Sequence, residues 1–420
     1  MQQAGFGAVL RVREARTLLW AALVSGVGDQ VARVALSVAV LDRTGSVLLG
    51  ALVIAVSYAP WVLFGPLLAG LADRLPARRV LVGSDLARAG LVALMVLPGL
   101  PVWALLLLLF LTELAAPPFD AARSALLPEV LEDDAYVAGT AMLGALQQAT
   151  LVGGVGLAGV LLTVVGPAEA LALDAATFLV SALLLRRGLR PRPAAAPTGR
   201  VSPWADVLDG VRALQAQPGV RRLVLGAWLA TAVAVLPEGL AVAYGRQHGA
   251  DGWATAALLT AEPTGAVVFG LLVSRLVPPD RRPALAWPLL LGGSLPLLGM
   301  LVDPGMLGAG LLLGLCGLSG AGVLLVSTRV GRSVPPEVRG RVFGIAASGL
   351  MAAQGLALLA GGVLSEVLPL HHVMALAGLA GLLGLAVLTL RDGLLDRPAA
   401  DAAVPERASE EASPEAALLG

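Results

Sequence analysis

The sequence predicts an all-α membrane protein with twelve transmembrane helices, and composition, segment length and arginine placement carry that prediction. The 420 residues are 57% hydrophobic and only 14% charged, with a mean hydropathy of +0.84, far more apolar than an ordinary soluble chain. The 51 glycines and 28 prolines are costly in soluble helices but tolerated in a bilayer, where neighbouring segments satisfy the freed backbone groups. The formal charge of +0 gives no overall pull toward nucleic acid. A single cysteine, Cys316, excludes an intrachain disulfide and reads as packing. All 29 basic residues are arginine, which removes lysine-based covalent chemistry.

A hydrocarbon core about 30 Å thick needs about 20 apolar residues at 1.5 Å rise each. Candidate spans in the first half cover residues 18–41, 48–68, 80–97, 102–122, 137–165 and 168–185. Arg11, Arg13 and Arg16 precede the first, but its length and its Asp29 and Arg33 argue against a signal peptide. A polar stretch, 186–220, follows, with an amphipathic helix expected over 203–217. Spans in the second half cover 223–244, 253–276, 285–302, 306–327, 342–364 and 372–390, and a polar tail after Arg391 is expected to be disordered. The domain map is therefore 1–185, a linker 186–220, then 221–391 and a tail 392–420.

Short cytoplasmic loops hold the excess of basic residues. With the N-terminus inside, the inner connections carry Arg74, Arg78 and Arg79, then Arg123, the cluster from Arg186 to Arg222, then Arg275, Arg281 and Arg282, and finally Arg329, Arg332, Arg339 and Arg341. The outer loops carry Arg43 and Arg246. This alternation predicts an even number of spans in a cytoplasmic membrane, both termini cytoplasmic.

Spans two and three are joined by Ala69-Gly70-Leu71-Ala72-Asp73-Arg74-Leu75-Pro76-Ala77-Arg78-Arg79. One carboxylate among guanidiniums at a tight turn makes a switchable ion-pair cluster. The stretch resembles the signature loop of the major facilitator superfamily, Gly-x-Leu-Ala-Asp-Arg-x-Gly-Arg-Arg, departing from it at Ala69, Pro76 and Ala77. The resemblance implies two pseudo-symmetric six-helix bundles. It also implies that Asp73 braces a helix of the other half and that the arginines pair with an acid near the end of span four, where Asp120 stands. An echo, Gly270-Leu271-Leu272-Val273-Ser274-Arg275 followed by Arg281 and Arg282, fits an internal duplication.

Gly28-Asp29, the run from Pro118 to Pro128, and Pro335-Pro336-Glu337-Val338-Arg339-Gly340-Arg341-Val342 resemble the siderophore and macrolide exporters of that superfamily. Gly154-Val155-Gly156-Leu157-Ala158-Gly159 resembles the antiporter motif Gly-Pro-x-x-Gly-Gly, with Val155 in place of the proline; small residues there allow close contact and bending.

Charges within spans point to mechanism, because a charge at mid-membrane costs several kcal/mol unless paired or hydrated. Asp29 and Arg33 share a helix face and can neutralise each other. Glu113 has no basic partner in its own span, while Glu238 follows Pro237 and Glu262 precedes Pro263, beside expected kinks. Asp174 reads as a local hydrogen bonder. Carboxylic acids in such surroundings take and release protons near neutral pH, so Glu238 and Glu113 lead the proton or substrate candidates, then Glu262, with Asp29 and Arg33 tuning them. Gln147, Gln148 and Gln354 either line the same cavity or bond across a dry interface; Tyr58 and Trp61 are its aromatic candidates.

His371, His372 and His248 show no metal-ligand spacing and read as solvated loop residues. Neither a nucleotide-binding glycine loop nor a catalytic triad is legible, so no cofactor, metal or nucleic-acid partner is expected and the chain is read as no enzyme. The expectation is proton-coupled export of a small amphipathic molecule, by a monomer in a lipid bilayer. An importer of the same fold, a non-transporting scaffold or sensor, and a membrane-embedded enzyme remain open.

Overall fold

The computed structural model describes residues 6–64, 75–131, 133–193 and 203–392. The described secondary structure is helical: α1 (Phe6–Arg11), α2 (Arg13–Thr44), α3 (Val47–Leu63), α4 (Ala77–Met95), α5 (Val102–Leu114), α6 (Ala116–Val130), α7 (Asp133–Leu161), α8 (Pro167–Gly188), α9 (Pro203–Gln215) and α10 (Pro218–Gln247). Then come α11 (Gly252–Leu276), α12 (Arg282–Ser294), a 3-10 stretch (Leu295–Val302), α13 (Gly305–Cys316), α14 (Leu318–Ser333), α15 (Pro336–Ser365) and α16 (Leu370–Asp392). Asp73 and Arg74, linker residues 194–202 and the tail from 393 lie outside the described residues.

Ten stretches are long and apolar enough to cross a membrane, with α5–α6, α12 with its 3-10 extension, and α13–α14 each counting as one. The short α3 and the charge-bearing α4 occupy the order of spans two and three, so the arrangement is consistent with twelve. Large apolar side chains point outward, among them Trp103, Leu272, Leu307 and Leu383. A soluble globule would pay for that surface in water, whereas a bilayer solvates it.

Local chemistry sets the ends. Gly45 ends α2 in the left-handed conformation at φ 67°, its N–H donating to Leu41 O, a geometry that glycine adopts without a Cβ penalty. Ser46 caps α3 and Asp251 caps α11, each accepting an orphan N–H. Pro117 and Pro118 follow the α5–α6 break at Ala115, and Pro296 opens the 3-10 stretch, because proline withholds the helical N–H. Span ten breaks at Gly317, where a Cβ would overlap Gly265 and Ala266 on α11, so two backbones touch. Pro237 and Pro263, by contrast, sit inside unbroken helices.

The first half packs α2 against α8 and α7, and α4 against α8, α5 and α6. The second packs α10 against α15, α14 and α16, and α12 against α14. The amphipathic α9 lies on α15, where a Cβ on Gly210 would stand 2.9 Å from Arg341 O. The halves meet along α3 with α15 and α7 with α11. Polar contacts between them gather at the end away from the N-terminus: Arg246 Nη2 lies 2.7 Å from Asp42 Oδ1, and Ser46 Oγ donates to Glu366 Oε1 at 3.0 Å. At the same end Gly159 lets α7 press on Ala256 and on Gly252 O.

Candidate functional site

Deep between the halves, α2, α3 and α5 on one side face α10 and α11 on the other. Arg33, one turn after Asp29, extends Nη2 to 3.6 Å from Glu113 Oε1 on α5, with side chains 18% and 15% exposed. Sequence spacing suggested an Asp29–Arg33 pair within one helix. Tertiary packing instead brings Arg33 the acid that lacked a partner in its own span, and no Asp29 ion pair forms among the described residues. Beyond Glu113, Arg33 interacts across space with Tyr58, Glu238 and Asp29, in falling order. Tyr58 in turn senses Glu238, Arg33, Glu113 and Glu262, so the acids named from sequence converge on one region from both halves.

Glu238 and Glu262 line one pocket with Pro237, Pro263, Leu151 and Leu313. Each proline lacks an N–H, which leaves the carbonyls of Val233 and Leu259 without their helical donor. That pocket offers two carboxylates and loosened backbone carbonyls in an apolar frame, the donor-poor, acceptor-rich chemistry that receives cations and protons. Asp29, Glu113, Glu238 and Glu262 are all half-buried; they sit deep in the bundle and still touch an open space. Glu113, Glu238 and Glu262 against Arg33 leave the region net negative unless it holds protons or a cation.

The remaining candidates are scattered. Gln147 and Gln148 are exposed, and Gln354 donates to Leu350 O in its own helix at 3.3 Å. Gly154 lies against Gln30 and Val27 of α2 and Gly159 against α11, so the glycine motif gives close contact on both faces of a continuous α7. Asp120 pairs with Arg123 in its own helix at 2.7 Å, Arg78 donates to Arg186 O, and Arg79 belongs to the first turn of α4. Among the described residues, neither Arg78 nor Arg79 makes an ion pair with Asp120; Arg74 lies outside them. In the second-half echo, Arg282 donates to Ser274 O at 2.7 Å and to Val277 O at 2.9 Å, closing the end of α11.

Two clusters escaped the sequence reading. On α4, Asp85 and Arg88 are 0% and 6% exposed, and Ser181 Oγ donates to Asp85 Oδ2 at 2.6 Å. An Asp and an Arg three apart in an apolar span was the available signal. The second gathers histidines read as solvated: His248 Nε2 lies 3.1 Å from Asp303 Oδ1, His371 Nδ1 lies 4.0 Å from Oδ2, and the His371 and His372 ring centres are 4.3 Å apart with the planes tilted by 58°. Tyr244 donates to Asp303 Oδ1 at 2.7 Å and holds that carboxyl below its ordinary value. No spacing signal could show this, since three separate segments meet there.

Comparison with known proteins agrees with this architecture. The uncharacterised MFS-type transporter YkuC of Bacillus subtilis (strain 168) is 26% identical over 366 residues, spanning 81% of this chain and 83% of its own. A bacterial homologue of the human lysosomal transporter Spinster, inward-facing and occupied, superposes with a TM-score of 0.69 at 13% identity, covering 90% of this chain and 96% of the other. A bacterial homologue of the iron transporter ferroportin, also inward-facing, gives 0.68 at 17%, covering 90% and 98%. The nucleoside transporter NupG gives 0.70 at 13%, covering 89% and 99%. At such identities the structures speak for the fold alone. The family model of the Major Facilitator Superfamily matches residues 18–328 and 226–418, and with the helical architecture above it places this chain in that superfamily, as a multi-pass membrane transporter.

Proposed function

We propose that this transporter is a proton-coupled exporter of small cationic, amphipathic molecules, working by alternating access. The observation that carries the reading is the convergence of Glu113, Glu238 and Glu262 from opposite halves, with Arg33, 3.6 Å from Glu113, as their counter-charge. A cation entering this region is drawn by the acids, and protons binding within the bundle favour its release, so the two bind at each other's expense. The side-chain contacts between halves at one end, Arg246 with Asp42 and Ser46 with Glu366, support a cycle in which the halves rock apart there. Export as the direction rests on the likeness of the Gly28-Asp29, Pro118–Pro128 and Pro335–Val342 stretches to siderophore and macrolide exporters; the alternation of arginine-rich and arginine-poor connections favours a cytoplasmic membrane with both termini inside.

The test is a Glu113→Gln, Glu238→Gln double variant assayed for accumulation of cationic dyes in inverted membrane vesicles. Loss of accumulation with unchanged membrane insertion is expected. Wild-type accumulation by the double variant would reject these acids as the site.

A further inference from the structure

Asp85 and Arg88 sit inside the first half, away from the pocket of Glu238 and Glu262, and both are more than nine-tenths buried. They lie three apart on α4, close enough to pair, yet they do not. The Arg88 guanidinium is held between two rings, 5.4 Å from the centre of Phe119 and 5.4 Å from that of Phe178. Arg88 Nε and Asp85 Oδ1 are both buried without a hydrogen-bond partner among the described residues. An ionised carboxylate so placed, one oxygen bare and its counter-charge turned away, costs several kcal/mol, whereas the neutral acid costs far less.

A polar stripe runs toward Asp85 from the side of the central region. Asp174, Thr177 and Ser181 fall on one face of α8 at i, i+3 and i+7. Thr177 Oγ1 donates to Asp174 O at 2.8 Å and lies 3.1 Å from Asp174 Oδ1, and Ser181 donates to Asp85. A Cβ on Gly28 would overlap both Thr177 Oγ1 and Asp174 Oδ1, so this polar stripe lies flat against α2 one residue from half-buried Asp29. Two charges on the packed helices are committed elsewhere, Glu113 on α5 to Arg33 and Asp120 on α6 to Arg123, while Glu129 on α6 and Glu169, Arg186 and Arg187 on α8 stand at the helix ends. Asp29 on α2 and Asp174 on α8 are the facing acids, and Arg88 is the cation they share with Asp85.

We propose that Asp85 is the residue that carries the coupling proton, supplied from the central region through Asp29 and the Asp174–Thr177–Ser181 stripe, with Arg88 as the counter-charge that swings onto Asp85 when the proton leaves. The present arrangement is the proton-loaded one: Asp85 neutral, Arg88 stacked on Phe119 and Phe178. Release restores the carboxylate, and Arg88 leaves the rings to pair with it, which repacks α4 against α6 and α8. Substrate and proton then occupy different places, linked through Asp29.

This inference rests on the proton-coupled reading, and two measurements on the full chain in liposomes separate them. Infrared difference spectra over a pH titration need no substrate: the wild type should lose a protonated buried carboxyl stretch as pH rises, and Asp85→Asn should lack that band while Asp85→Glu keeps a displaced one. An unchanged band in Asp85→Asn overturns the proposal. With ethidium as probe, the wild type should accumulate dye against its gradient when a pH gradient is imposed, and Asp85→Asn should lose that accumulation while retaining gradient-free ethidium exchange. If the wild type ignores the pH gradient, proton coupling itself fails. If the wild type responds and Asp85→Asn accumulates equally, the assignment of Asp85 fails alone.

Discussion

Replacing Gly159 with alanine adds one carbon where α7 crosses α11 between the halves. The new Cβ would overlap Ala256 Cβ and stand 2.9 Å from Ala256 Cα and 3.0 Å from Gly252 O, against an optimal carbon separation of about 3.5–4.0 Å. Two of those neighbours are backbone, so α11 must retreat by about 1 Å, and such overpacking costs about 1–3 kcal/mol. In a rocking cycle this crossing is tight only while the halves are closed at that end, so the cost falls on one state. At about 1.4 kcal/mol per factor of ten, the equilibrium should move roughly 5–150-fold toward separation there. Cys316 is fully buried and gives a quiet background for labelling. Leu48→Cys supplies the reporter, because Leu48 lies against Gly362 of the other half. Adding Gly159→Ala should raise its rate of reaction with an impermeant maleimide by that factor. An unchanged rate in a protein that melts as the parent does would refute the steric argument and the motion it assumes.

Other outcomes follow from the same geometry. The Arg246–Asp42 pair is 40% and 54% exposed, so Arg246→Ala should raise Leu48→Cys labelling by no more than about 5-fold, equivalent to about 1 kcal/mol at most. The effect should shrink in high salt, and Asp42→Arg with Arg246→Asp should restore the parent rate. Asp303 is held below its ordinary carboxyl value first by the Tyr244 hydroxyl, with His248 and His371 assisting; a depressed value stabilises the fold above the ordinary range and ceases to as pH falls through it. Tyr244→Phe should therefore lower the melting temperature by ~1–2 °C at neutral pH, with the gap closing below the ordinary 3.8. Gly265→Ala places a Cβ into Gly314 O, whereas a Cβ at Gly83 meets nothing within 4 Å. Gly265→Ala should cost at least about 1–3 kcal/mol in detergent unfolding, and Gly83→Ala should be neutral.

Much of the fold was legible because bilayer thickness imposes one length on every span, so even the mid-span proline and glycine breaks did not hide the segments. What pattern could not show was how spans subdivide: Pro117, Pro296 and Gly317 split three of them, each at a contact or a missing donor. The site was half visible. Glu113, Glu238 and Glu262 stand out as acids in apolar runs, but the partner of Glu113 lies 80 residues away on α2, and Asp29 loses the pairing its spacing suggested. Asp85 and Arg88 follow closely on the loop arginines Arg78 and Arg79, so sequence alone does not separate their buried charges from the topogenic ones before them. Asp303 and the histidines around it come from three segments joined by tertiary contact, which no single stretch of sequence encodes.

The central claim is that acids carried into the membrane exchange protons for cargo, and it is tested most directly by gradient dependence. Inside-out vesicles containing this chain would be offered a panel of cationic dyes, antibiotics and siderophores, with and without an imposed pH gradient. Accumulation of at least one cationic compound that appears with the gradient and collapses with a protonophore is the predicted result. Accumulation identical in both conditions, or uptake that needs ATP, would contradict the account.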